Sequence, residues 1–263
     1  MKQIYDLFVS GGKDSVAAAV LGLEEAKKQG AEARAVFVNE LKAFEVPVEL
    51  LPSTPLDYVK KFADWLGVDL LVLEPKQNYW DGVKSWGYPL LFKNRWCFYK
   101  LKWRLFEELA YAEAKQGYFS VWVTGIRRAE SRERLQRYRE KRYRYVIGRR
   151  VVEYYHPILD WSDVEVESFV RERGIPVNPL WGIGFSCECL CLAGMTRRNL
   201  DRLIAHLPQL AAWLAERDEE VQKQRRNGPA FTAPLLSRKV TLSDYVKKKL
   251  REIRLTDFFG GGK

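Results

Sequence analysis

Two groups of residues in the sequence have the types and spacing to do chemistry. The first is Ser10-Gly11-Gly12-Lys13-Asp14-Ser15, which lies between an apolar run, Ile4 to Val9, and a stretch rich in strong helix formers that closes at Gly30. Glycines at a strand-to-helix turn let backbone N–H groups approach an anion closely, and the helix N-terminus adds partial positive charge. The spacing is neither G-x-x-x-x-G-K-S/T nor G-x-G-x-x-G, which disfavours a P-loop NTPase and a dinucleotide site. The second group is cysteine: Cys187, Cys189 and Cys191 alternate, and Cys97 lies far upstream. Four cysteines in 263 residues are too few for a disulfide scaffold, and their crowding suggests a metal or redox site. On a straight strand the last three would spread over about 13 Å, too far for one small cluster, so the segment must curl, with Gly184 and Gly194 at its flanks. Tetrahedral zinc, a disulfide and buried unligated thiols remain open beside an iron-sulfur cluster.

A third group follows a predicted strand at Tyr118 to Thr124. Arg127 and Arg132 stand just after it, at the carboxyl edge where open α/β sheets bind ligands, so their guanidinium forks could hold phosphate or sulfate bidentately. Glu130 between them could orient an arginine or help bind a metal. They open a run with 11 Arg or Lys between Arg127 and Arg150. Over Arg137 to Arg144 a solvated surface helix and a nucleic-acid contact, with Tyr138, Tyr143 and Tyr145 interleaved for stacking, are equally open. His156, beside Pro157, is expected to be a packed residue and not a base.

The elements that must position these groups alternate. Strands are predicted at Ile4 to Val9, Ala35 to Val38, Asp69 to Leu73 and Tyr118 to Thr124. Between them fall the helix after Gly12, an amphipathic helix from Pro55 to Gly67 with Tyr58, Phe62 and Leu66 on one face, and a long helical stretch from Cys97 to Lys115. The sequence VVEYYHPIL is strand-like, Asp163 to Arg173 is helical, and Leu200 to Lys223 forms one or two helices. From Gly228 onward an extended or peripheral basic tail is expected, mobile at its end. This alternation predicts an α/β fold with a doubly wound, mostly parallel sheet and helices on both faces.

Composition narrows the partner. Hydrophobic residues at 47% and charged residues at 30% exclude intrinsic disorder for most of the chain. Lys+Arg 44 against Asp+Glu 34 gives a net charge of +10, which favours an anionic partner such as a nucleotide or nucleic acid. No run of about 18 apolar residues exists, and the N-terminal stretch is broken by Gly, Lys and Asp, so a cytoplasmic protein without a membrane partner is expected. Few Cys, Met and His beside many charges fit a heat-adapted protein, where intracellular disulfides occur. The sequence is equally compatible with a homo-oligomer.

The loop SGGKDS resembles the SGGxDS loop of the PP-loop ATP pyrophosphatases, the adenine nucleotide alpha hydrolases. Three further blocks resemble the phosphoadenosine phosphosulfate (PAPS) reductase family. They are NYWDGVKSWGYPLLFKNRWCFYKLK, with Cys97 and Lys102; Gly125-Ile126-Arg127-Arg128-Ala129-Glu130-Ser131-Arg132, with the last Arg one position early; and HPILDWSDVEVESFVRERGIPVNPLW. The resemblance implies a PP-loop nucleotide-binding domain over 1–192 and a helical extension with a basic tail over 193–263 packed on it. It places Ser10, Gly11, Gly12, Lys13, Asp14, Ser15, Lys102, Gly125, Arg127, Glu130 and Arg132 at an adenine nucleotide, and Lys13, Asp14 and Cys97 in catalysis. Lys13 would neutralise the leaving pyrophosphate, and Asp14 would help hold Mg2+ with ATP.

Members of that family often carry C-x-x-C where this chain has C-x-C-x-C. The resemblance therefore implies a 4Fe-4S cluster on Cys97, Cys187, Cys189 and Cys191, with zinc as the alternative. Two reactions follow. One is ATP-dependent sulfur transfer through adenylylation, with RNA or DNA received by the Arg127–Arg150 run. The other is reduction of adenylyl sulfate or PAPS, for which the family's reductases use a cysteine near the C-terminus, whereas no cysteine follows Cys191 here. A nucleotide-responsive binding protein without turnover is a third reading.

Overall fold

The computed structural model describes residues 2–89, 95–185, 190, 195–224 and 240–259, the side chains of 254–259 excepted. In chain order the strands are β1 (Lys2–Phe8), β2 (Glu32–Val38), β3 (Asp69–Leu73), β4 (Tyr118–Val123), β5 (Arg142–Ile147) and β6 (Arg150–Tyr155). The helices are α1 (Lys13–Lys28), α2 (Glu40–Phe44), α3 (Pro55–Leu66), α4 (Tyr79–Trp86), α5 (Arg104–Lys115), α6 (Arg132–Arg137), α7 (Asp163–Glu172), α8 (Arg197–His206), α9 (Pro208–Gln224) and α10 (Leu242–Phe259). The sheet order is β3-β2-β1-β4-β6-β5, parallel throughout except for β5 against β6. The predicted α/β class and mostly parallel sheet are therefore present.

Strand alternation sorts the core into two layers. Tyr5, Leu7 and Val9 face one way and pack with Val16, Phe62, Val166 and Val170 of α1, α3 and α7. On the other side Trp122 and Val36 pack with Leu109 and Ala110 of α5. The parallel strands are thus covered on both faces, which their apolar composition requires. Helix α3 starts where the sequence says it should: Thr54 and Asp57 form a reciprocal capping box, Pro55 takes the first turn, and Gly67 closes the helix at φ 73°. A third cluster lies away from the sheet, with Phe44, Tyr79, Leu203, Leu210, Leu214 and Leu242 among its members.

Two expectations are corrected. The tail is not extended throughout: 242–259 forms α10, with Leu242, Tyr245 and Val246 buried against α8 and α9 and Thr241 capping through Asp244 N at 3.0 Å. The lysines of this segment hid an apolar stripe at helical spacing. The run Arg137 to Arg144 is not a surface helix either, because α6 ends at Arg137 and the edge strand β5 begins at Arg142. There Tyr143 stacks on Tyr154 at 5.3 Å, and the period-two alternation of Arg142 and Arg144 with Tyr143 and Tyr145 wins over helix propensity. The mobile end expected at 260–263 lies outside the described residues.

Candidate nucleotide site

The strand order reverses at β1, whose neighbours β2 and β4 continue in opposite directions across the sheet. The loops leaving β1 and β4 diverge there, opening a crevice of the kind that binds ligands in doubly wound sheets. A cleft of about 730 Å³ fills it, lined on the β1 side by Ser10, Gly12, Lys13, Asp14 and Ser15 and on the β4 side by Thr124, Gly125 and Glu130.

The loop is held by its own hydroxyls. Ser15 Oγ accepts from Ser10 N at 3.1 Å and donates to Gly12 O at 2.8 Å. Gly11 sits at φ 87°, a conformation that costs other residues, and its carbonyl accepts from Asn178 Nδ2 at 2.9 Å and Trp181 Nε1 at 2.8 Å. No side chain caps α1 at Gly12, so the first-turn amides are left unclaimed by a capping group. Gly125 is required by proximity: a Cβ there would stand 2.6 Å from both Asp14 C and Ser15 N. The two loops thus touch backbone to backbone.

Charges in the cleft are arranged in a chain. Arg127, 3% exposed at its side chain, grips Asp14 through Nε at 2.9 Å and Nη2 at 3.3 Å. It also donates to Asp163 at 2.8 Å and to the Trp161 carbonyl at 3.2 Å. Burial works against the Arg127 charge, but Asp14 and Asp163 more than offset it and raise its pKa. Lys13 Nζ rests on Asp163 at 2.7 Å, with Asp14 at 3.5 Å and Glu167 at 3.8 Å. The hydrogen bond from Lys13, helped by its charge and that of Arg127, holds Asp163 below the usual carboxylate range. Glu130 accepts from Arg127 N at 3.0 Å and pairs with Arg134, which also lines the cleft.

The structure brings most of the sequence-predicted nucleotide residues together and leaves others apart. Ser10 to Ser15, Gly125 and Glu130 converge, and Arg127 stands behind Asp14 with its guanidinium occupied by carboxylates. Arg132 is exposed at the start of α6 and is not among the lining residues, where Arg134 stands instead. Lys102, on the π-helical stretch Phe98–Trp103, pairs with the buried Glu40 and is not among the lining residues of the cleft. Cys97 is half-buried and packs against the cluster containing Trp96 and Tyr79. Cys187, Cys189 and Cys191 lie outside the described residues, and among those described no group of three metal-ligating side chains occurs.

Sequence reasoning missed Asn178, Trp181, Thr124, Arg134 and Glu167. For Asn178 and Trp181 the signal was the N-P-L-W stretch, in which Asn178 caps a short helical turn by accepting from Leu180 N at 3.0 Å. His156 is fully buried as expected, sharing a 2.7 Å hydrogen bond with Thr124 Oγ1 through Nδ1. Its burial, with the nearby Arg134 charge, lowers its pKa to about 4.

The fold and the loop at the sheet's switch point define an adenine nucleotide alpha hydrolase-like α/β protein. Residues 5–187 match the model of the phosphoadenosine phosphosulfate reductase domain, and the chain belongs to that family. Among curated relatives, an uncharacterised Methanocaldococcus jannaschii protein is 28% identical over 176 residues, 67% of this chain and 38% of that protein. The phosphoadenosine 5'-phosphosulfate reductase of Xylella fastidiosa is 31% identical over 69 residues, 25% of each chain. The chain therefore spans well under half the length of these relatives. Among solved structures, the U34-tRNA thiolase NcsA from Methanococcus maripaludis, determined with its 4Fe-4S cluster, aligns with a TM-score of 0.50 at 16% identity, covering 94% of this chain and 82% of that one. That likeness is one of fold.

Proposed function

We propose that the protein is an enzyme of sulfur metabolism that activates an acceptor with ATP and exchanges the activated oxygen for sulfur. The observation that carries this reading is the complete Ser10–Ser15 loop at the switch point, with Lys13 beside the free first-turn amides of α1. In the first step an acceptor oxygen attacks the α-phosphorus of ATP, the α–β P–O bond breaks, and pyrophosphate leaves with its charge met by Lys13 and the loop amides. Mg2+ bound with ATP would be held in part by Asp14, which Arg127 fixes in place. In the second step a sulfide-level nucleophile displaces AMP from the activated atom. Asp163 and Glu167 hold Lys13 only as weak, exposed partners, from which an anionic nucleotide would draw it.

Cys97, Cys187, Cys189 and Cys191 would hold a 4Fe-4S cluster, which supplies a place to bind and deliver the sulfur. What supports this is Leu190, the residue between Cys189 and Cys191: it is buried in the same apolar cluster on which Cys97 packs. Four thiolates also form the donor set such a cluster takes. The nucleic-acid acceptor is the reading for which the basic surface speaks.

The family match favours a second reading, in which a thiolate attacks the sulfate sulfur of adenylyl sulfate or PAPS and the nucleotide leaves. Incubation under anaerobic conditions separates the two. With Mg-ATP, sulfide and bulk RNA or DNA, pyrophosphate and AMP should appear, and a Lys13→Ala variant should lose them. Sulfite release from a sulfated nucleotide with a dithiol supplied as the two-electron donor, and no turnover of ATP, would establish the reductase instead.

A further inference from the structure

The opposite end of the sheet carries a second cavity. It has a volume of about 530 Å³, and its lining includes Tyr118, Phe119 and Ser120 of β4 with Arg144, Arg149 and Arg150 of the β5–β6 hairpin. Because β1 rises about 3.3 Å per residue, this cavity lies about 20 Å from the nucleotide cleft. No carboxylate lines it. The acids nearest to it are already engaged: Glu153, across the ladder from Arg144, binds Arg142 at 2.5 Å, and Glu113, behind Ser120, binds Arg34. Glu32 accepts from Tyr118 Oη at 2.7 Å.

No ion pair among the described residues involves Arg144, Arg149 or Arg150, as none involves the exposed Arg132, Arg137 and Arg139; what sets the three apart is that they line one cavity that no carboxylate lines. All three are exposed. Arg144 lies over the Phe119 ring at 5.7 Å and Arg150 over Tyr111 at 5.3 Å, so ring stacking steadies the guanidinium planes while their N–H edges stay available to an anion. Tyr111, 56% exposed, adds open aromatic surface beside Arg150. Protection of the sheet edge accounts for one charge on β5, but not for Arg149 in the turn or Arg150 at the start of the paired strand β6.

Three unneutralised guanidiniums on one open groove, two of them held over rings, match a nucleic-acid strand, whose phosphates repeat and whose bases stack, better than a single small anion. We propose that the groove of Arg144, Arg149 and Arg150 binds the phosphate backbone of a single-stranded nucleic-acid segment, holding the acceptor by a point remote from the nucleotide cleft. The proposal rests on the sulfur-transfer reading for the word acceptor, not for the binding itself.

The test is fluorescence anisotropy of the full chain with fluorescein-labelled oligouridylate and oligothymidylate of about 20 nucleotides, titrated between about 50 and 200 mM salt. Wild type is compared with Arg144→Gln/Arg149→Gln/Arg150→Gln and with Lys60→Gln/Lys61→Gln/Lys248→Gln, which removes the same charge elsewhere. The groove variant should bind about tenfold more weakly or worse, and its logarithmic salt slope should fall by about 2, while the control stays within about twofold of wild type. A preference for RNA or DNA names the acceptor class, and equal affinity supports backbone recognition. Equal losses in both variants, or full displacement of the oligonucleotide by about 10 mM inorganic phosphate at constant ionic strength, would overturn the proposal. Should the triple variant melt early, Arg149→Glu in the exposed turn gives the same readout. Mg-ATP binding and pyrophosphate release by the groove variant are measured in parallel. If they persist while oligonucleotide binding never responds to the groove, the groove is wrong and the activation chemistry stands; if oligonucleotide binds through the groove and ATP does not turn over, the reverse holds.

Discussion

At the scale of single residues, the loop chemistry was legible and its support was not. Ser10 to Ser15 declared itself by glycines between a strand and a helix, but nothing near Asp14 in sequence shows that Arg127 grips it from 113 residues away. Arg127→Ala would leave Asp14 and Asp163 without their shared cation and should cost about 3 kcal/mol of stability by denaturant unfolding. Lys13→Ala removes a partly buried side chain whose ion-pair partners Asp163 and Glu167 are exposed, so it should leave the melting midpoint nearly unchanged and lower nucleotide turnover about a hundredfold. Gly125→Ala forces a methyl group against the α1 backbone, so both a loss of about 1–3 kcal/mol and weaker nucleotide binding are expected. His156 supplies a pH signature. Its folded pKa is about 4 against 6.5 unfolded, so the unfolded state binds the extra proton in that window and stability falls as pH drops from about 6.5 to 4. Urea unfolding across that range should show wild type losing up to about 3 kcal/mol relative to His156→Gln as pH falls from about 6.5 to 4.

At the scale of elements, the βα alternation was readable because β1 to β4 are short apolar runs, α1 is rich in strong helix formers and α3 opens on a capping box. The elements that escaped are those whose partners are distant in sequence. Strand β5 reads as a charged helix until Tyr143 finds Tyr154, and α10 reads as a basic tail until Leu242 and Val246 find α8 and α9. Leu242→Ala should therefore cost about 2–5 kcal/mol, as a core leucine does, where a peripheral tail would give almost nothing. A residue's place in a sequence block does not by itself fix the direction of its side chain: Lys102 meets Glu40, and Arg134, two residues along α6 from Arg132, lines the cleft.

At the scale of the whole molecule, the sheet carries a cavity at each end: a carboxyl end with a glycine loop and mixed charges, and an amino end with arginines that no carboxylate pairs among the described residues. The described helices include none long and apolar enough to cross a membrane. Iron and acid-labile sulfide should accompany the protein purified anaerobically, and a colourless, iron-free preparation would remove the cluster from the account. The central claim is that the cleft is an ATP site. Anaerobic calorimetry with Mg-ATP, adenylyl sulfate and PAPS, using Lys13→Ala as the control for the loop, tests it directly: ATP should bind most tightly and lose affinity in the variant, whereas a preference for either sulfated nucleotide would contradict the account and restore the reductase.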